Sequence, residues 1–145
     1  MDTHTIVPGD YAVEFASPAW FDLYQKACIA ACRMGRMADG VACEVYQDAP
    51  AHIAPDGTLA WTRRVEGGKF SFAFVECPDD QADSKIRADY ATLLPLARVI
   101  IGEDESAFHR AAFDAVMSGK MAIVKRDPDA PANHMIHDLM AAWTR

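Results

Sequence analysis

No stretch of this chain is apolar for long enough to span a bilayer. The N-terminus, MDTHTIVPGDYAVEF, has neither a basic opening nor a long apolar centre, so it does not read as a secretory signal. Positive charge is also in short supply. Fourteen Lys and Arg stand against 21 Asp and Glu, a formal charge of −7. That balance excludes a phosphate-backbone binder, which needs a basic patch, and it offers no polybasic membrane anchor. The four cysteines contain no CxxC pair, so a zinc ribbon or thioredoxin-type site is not expected. G-x-S-x-G, H-E-x-x-H and a glycine-rich phosphate loop are all absent. No internal repeat or low-complexity segment occurs. Nucleic acid and stable membrane insertion therefore drop out as partners. No cofactor, metal or catalytic residue is assigned. The default compartment is the cytoplasm, where Cys28, Cys32, Cys43 and Cys77 are expected as free thiols.

With 145 residues, of which 51% are hydrophobic and 24% charged, the chain suits a single globular domain. Residues 1–16 lack a clear period and read as an irregular arm, with a short edge strand over 11–15. Residues 17–145 form the domain. Ser17-Pro18 is a helix start, a hydroxyl cap followed by the residue whose missing amide costs nothing at the first position. The helix is predicted to run to about Met37, with Phe21, Tyr24, Cys28 and Cys32 in one stripe. Strands follow over 41–47 and 58–66, separated by a loop that ends in Asp56-Gly57. Gly67-Gly68 then makes a tight hairpin. In the next strand, 69–75, Phe70, Phe72 and Phe74 recur at a spacing of two and must share one side of the sheet. A short strand is expected over 83–88.

From there the chain reads ADYATLLPLARVIIGEDESAFHRAAFDAVMSGKMAIVKRD. Asp89 is placed to cap a helix bearing Leu93, Leu96, Ala97, Ile100 and Ile101, which Gly102 stops. Ser106 can cap a second helix carrying Phe108, Ala112, Phe113, Val116 and Met117. Gly119 suits the left-handed position after it. Met121 and Ile123 alternate on a last strand, and residues 131–143 form a C-terminal helix. The element order predicts an α+β domain: a five-stranded, mostly antiparallel sheet covered by helices on one face.

The strings ADYATLLPLAR and MSGKMAIV, with the phenylalanine-bearing helix between them, resemble bacterial sterol carrier proteins of type two. The match is clearest over residues 82–124, and SPAWFDLY fits the same plan more loosely. The resemblance implies a sterol-carrier-like fold with an apolar cavity between sheet and helices, and no chemistry. Two departures flank that cavity. Pro95 deletes a backbone hydrogen bond inside the first helix, which should kink or shorten it. Lys125-Arg126-Asp127-Pro128 stands where the family has a glycine before an acidic residue.

The expected function is binding of an apolar small molecule, fatty-acyl, sterol-like or aromatic, as carrier or presenter. Trp20, Phe70, Phe72, Phe74, Leu93, Leu96, Phe108, Phe113, Met117 and Met140 are the expected lining; each could instead be plain core. Arg63 follows Leu59 and Trp61 on the inward side. It could anchor a ligand carboxylate or phosphate, or a one-residue bulge could turn it into water. Tyr24, Tyr46, Asp83 and Asp89 are further polar side chains near the sheet. His134 and His137 share a helical face, yet a metal needs at least one more ligand. Two alternatives stay open: a small lyase or isomerase acting on a hydrophobic substrate in the same cavity, and a dimerisation or docking module. A homodimer fits any of these.

Overall fold

The computed structural model describes residues 12–126 and 134–145. Helix α1 (Pro18–Arg33) leads into strand β1 (Gly40–Gln47), then β2 (Leu59–Glu66) and β3 (Lys69–Ala73). Strand β4 (Ser84–Asp89) passes directly into α2 (Tyr90–Ala97), followed by α3 (Glu105–Met117), β5 (Met121–Lys125) and α4 (His134–Trp143). The order across the sheet is β3-β2-β1-β4-β5. Three of the four pairings are antiparallel, and β1 with β4 is parallel. No helix among the described residues is long and apolar enough to cross a membrane.

The parallel pair arises from how the chain leaves β3. The connection crosses the sheet surface opposite the helices. The Thr62 hydroxyl donates to the Val75 carbonyl, the Cys77 amide to Cys43 Sγ, and Lys85 Nζ to the Cys77 carbonyl. Cys43, Val45, Cys77 and Ala82 make a small core beneath it. The Lys85 side chain is fully buried, and its amine ends between the Glu76 and Asp79 carboxylates, each at 2.7 Å. Those hydrogen bonds hold both carboxyls below the usual carboxylate range.

Local chemistry explains most boundaries. The Ser17 hydroxyl accepts from the Trp20 amide and starts α1. Gly67 and Gly68 both take positive φ, as a tight hairpin with right-handed strand twist requires. The Asp39 carboxylate accepts from both of their amides. At the end of α3 the Lys120 amide reaches the Ala115 carbonyl and the Gly119 amide reaches Val116. This is a Schellman motif, with Gly119 at φ 78°.

Three expectations need correction. Helix α1 ends at Arg33, because Gly35 turns the chain into the left-handed region. Helix α2 stops two residues after Pro95 and does not reach Ile101. An α4 side chain supports the freed backbone instead: Asp138 accepts from the Ile101 amide at 2.6 Å and the Gly102 amide at 3.0 Å. The cap of α3 is Asp104, which accepts from Ala107; Ser106 lies inside the helix. Asp89 occupies the capping position of α2 without a side-chain capping bond.

The main core lies between the helices and one sheet face. It joins Phe21, Tyr24 and Cys28 of α1 to Tyr46, Trp61, Val65, Ala88 and Met121 of the sheet, and to Leu93, Leu96, Ala115, Ile136 and Met140. Phe15, at the end of the expected arm, is buried between Trp20, Tyr46 and Tyr90. Val13 bridges to Thr144. Residues 1–11 and the start expected for the last helix lie outside the described residues.

Candidate functional site

Strand register decides which side chains meet. Glu44 pairs with Trp61 on one side of β1 and with Ile86 on the other; Arg63 pairs with Ala42 and Phe72. Paired residues point to the same face, so Glu44, Tyr46, Trp61, Arg63, Phe70, Phe72 and Ile86 all face the helices. The β1–β2 and β2–β3 ladders run past Arg63 without a shift. The bulge that would have turned Arg63 into water does not exist.

Aromatic rings fill the β2–β3 end of this face. Phe72 lies 5.7 Å from both Phe21 and Trp61 and 5.1 Å from Phe74, between centroids. Phe70 stacks at 6.4 Å on its other side. Phe70, Phe72, Ile86, Leu94 and Phe108 pack against the core while keeping accessible surface. Trp20, Leu93, Leu96 and Met140 are buried. Three further expected lining residues are largely exposed, Phe74 at the edge of the aromatic group and Phe113 and Met117 on α3. Phe74 is 54%, Phe113 63% and Met117 70% exposed. Helix α3 packs through Ala111, Ala112 and Ala115, a stripe of small residues that brings its backbone close and turns Phe113 and Met117 outward.

Among the aromatics sits a polar group. Trp61 Nε1 donates to the Tyr46 hydroxyl at 2.9 Å, and Tyr46 donates to Glu44 Oε1 at 2.8 Å. Arg63 Nη1 donates to the Tyr24 hydroxyl at 2.8 Å. The Cys28 thiol lies beside both Tyr24 and Arg63. Burial pushes the Tyr24 and Tyr46 hydroxyls well above the ordinary phenol range, so both stay protonated. Burial also raises the Glu44 carboxyl, against the opposing pull of the Tyr46 hydrogen bond and of Arg63. Arg63 keeps its charge: Tyr24, Cys28 and Glu44 outweigh the cost of its burial.

No protein-family model matches the sequence, and no curated protein matches it with significance. Solved structures do match. One is the solution structure of a conserved hypothetical protein from Thermus thermophilus whose description suggests a sterol carrier protein. It has a TM-score of 0.51 and 16% identity over 94% of this chain and 96% of that one. Another is a crystal structure of sterol carrier protein 2, with a TM-score of 0.50 and 19% identity over 88% of this chain and 95% of that one. The fold is that of the sterol carrier proteins.

Within this sterol-carrier fold, Tyr24, Tyr46 and Arg63 come together as the sequence allowed, whereas Asp83 serves the backbone and Asp89 stands at the start of α2 without a side-chain capping bond. Asp83 accepts from the Val41 amide at 2.7 Å. Sequence reasoning missed Glu44. The alternation of β1 sets Val41, Cys43 and Val45 against Ala42, Glu44 and Tyr46, and nothing local decides which trio faces the helices. The covering connection buries Cys43 and Val45 on the far side and leaves Ala42, Glu44 and Tyr46 facing the helices. The one signal was Tyr46, a large aromatic that shares a side of the strand with Glu44. His137 is engaged with the Val99 carbonyl at 2.9 Å. An open cleft of about 240 Å³ between Glu14, Ser17, His52 and Arg145 contains none of the expected lining residues.

Proposed function

We propose that this protein binds an apolar small molecule between the sheet and its helices and carries or presents it. The observation behind this reading is the incompletely closed helix-facing surface. Phe70, Phe72, Ile86, Leu94 and Phe108 are packed into the core on one side and accessible on the other. The sterol-carrier fold supports the same reading, since one structure of that fold is named as a sterol carrier. Burying about 400 Å² of ligand surface contributes on the order of 10 kcal/mol gross. Ordering and association consume much of it, leaving roughly micromolar affinity.

Native mass spectrometry of the protein as purified from cells tests the proposal. The expected spectrum shows a mass excess of a few hundred daltons that is lost on collisional activation. A clean apo mass, with no uptake of added long-chain or aromatic probes, overturns it. The same spectrum reads the oligomeric state.

A second reading, a small lyase or isomerase, is favoured by one observation: Arg63 is inward and bonded to Tyr24, near a Glu44 carboxyl raised by burial. A carboxyl raised above its ordinary value holds its proton over a wider pH range, which suits a group that moves protons. Turnover of a bound hydrophobic substrate that is abolished in Glu44→Gln would establish it.

A further inference from the structure

The polar group on the helix-facing side of the sheet has two loose ends. Of the oxygen and nitrogen contacts made by the Arg63 guanidinium, the one to Tyr24 uses a single N–H of five. Glu44 uses Oε1 for Tyr46, and among the described residues Oε2 has no side-chain donor. Among the described residues no buried side-chain nitrogen or oxygen lacks a partner. The N–H groups of Arg63 that neither Tyr24 nor the Cys28 thiol takes, and the second oxygen of Glu44, therefore reach space that solvent or a ligand can occupy. The two residues are diagonal neighbours on adjacent strands, since Glu44 pairs with Trp61 and Arg63 with Ala42. Such neighbours stand about 7–8 Å apart at Cα.

From this juxtaposition we infer that the Arg63–Glu44 pair selects apolar ligands carrying an uncharged head that both donates and accepts a hydrogen bond, such as a primary carboxamide. The inference rests on the apolar-site reading above and adds a head-group rule to it. A hydrocarbon head pairs with neither loose end, and an ester, whose carbonyl can accept from Arg63, still offers Glu44 no donor; each leaves a desolvated oxygen at a cost. A carboxylate satisfies Arg63 but sets a second anion beside Glu44 on a half-buried face, where like charges repel strongly. A carboxamide places its oxygen towards Arg63 and its N–H towards Glu44, and both ends are satisfied without added charge. Sites built around buried polar groups discriminate sharply against ligands that leave those groups unpaired.

The experiment is competition against Nile red, an uncharged apolar dye, on the full chain at neutral pH. Dodecanamide, dodecanoate and methyl dodecanoate share one tail and differ in the head. The expected result is displacement by the amide at a concentration roughly tenfold lower than by either competitor. In the charge-balanced double variant E44M/R63M the preference for the amide is lost, and the three competitors fall within about twofold of one another. The wild-type ranking stands without the variant, so misfolding of the variant leaves the test intact. Equal or tighter binding of dodecanoate by the wild type overturns the head-group rule and makes Arg63 a simple anion anchor. A ranking that survives in the double variant overturns it as well. If neither Nile red nor any competitor binds, the apolar-site reading itself fails, and the rule fails with it.

Discussion

Tyr46 is among the most completely buried large side chains of the molecule, and its hydroxyl is used twice, accepting from Trp61 and donating to Glu44. Tyr46→Phe keeps the ring and strands both partners. Its expected cost is about 1–3 kcal/mol, the penalty for leaving buried polar groups unpaired, measured from the urea midpoint at unchanged m-value. Glu44 gives a pH signature of definite sign. Burial raises its carboxyl, so between the ordinary carboxylate value, about 4.3, and the raised folded one, the folded state holds more protons than the unfolded. Stability from this residue therefore falls as pH rises through that window and is level below it. Urea titrations of wild type and Glu44→Gln at several pH values should show the difference between them moving against the wild type as pH increases. A difference that is flat with pH would mean that Glu44 is as well solvated in the fold as outside it.

The segment between α2 and α3 shows what a proline does to an element and how the fold answers. The periodicity of Leu93, Leu96, Ala97, Ile100 and Ile101 predicts a helix through Ile101, and Pro95 predicts that it fails. The helix ends at Ala97, yet Ile101 is still buried, at 3% exposure. Asp138 makes the difference, because its two oxygens take the Ile101 and Gly102 amides that no helix satisfies. Asp138→Ala should cost about 1–3 kcal/mol and speed amide exchange at Ile101 and Gly102 more than at Leu93. Uniform acceleration across both elements would mean that Asp138 acts on global stability alone. Nothing in the local pattern of α4 marks Asp138 for this task. Its partner lies 37 residues away, and only the packing of α4 beside α2 brings them together.

For the whole molecule, the aromatic assembly joins α1 to the β2–β3 edge through Phe72, which has five aromatic neighbours: Phe21, Tyr24, Trp61, Phe70 and Phe74. Phe72→Ala should lower stability by about 2–4 kcal/mol, the scale for truncating a largely packed phenylalanine. It should also weaken Nile red binding by roughly tenfold if the ring is part of the ligand surface, since tenfold is about 1.4 kcal/mol. Unchanged affinity at reduced stability would make Phe72 core and not pocket.

The α+β class, the five strands, the α1 stripe and the shared side of Phe70, Phe72 and Phe74 were legible because each follows from short-range periodicity and from caps and turns. So was the sterol-carrier resemblance, carried by local strings. Which face of a strand is inward was another matter. β1 has two candidate faces, and the choice depended on a connection from β3 that crosses beneath the sheet and buries Cys43 and Val45. The same crossing makes β4 parallel to β1. Likewise, only the small alanine face of α3, seated against the core, decides that Phe113 and Met117 point outward. The sequence by itself determined the elements, since their causes lie within a few residues. Tertiary structure alone decided that Glu44 and Arg63 share one face among aromatics, because the cause is the pairing of strands far apart along the chain.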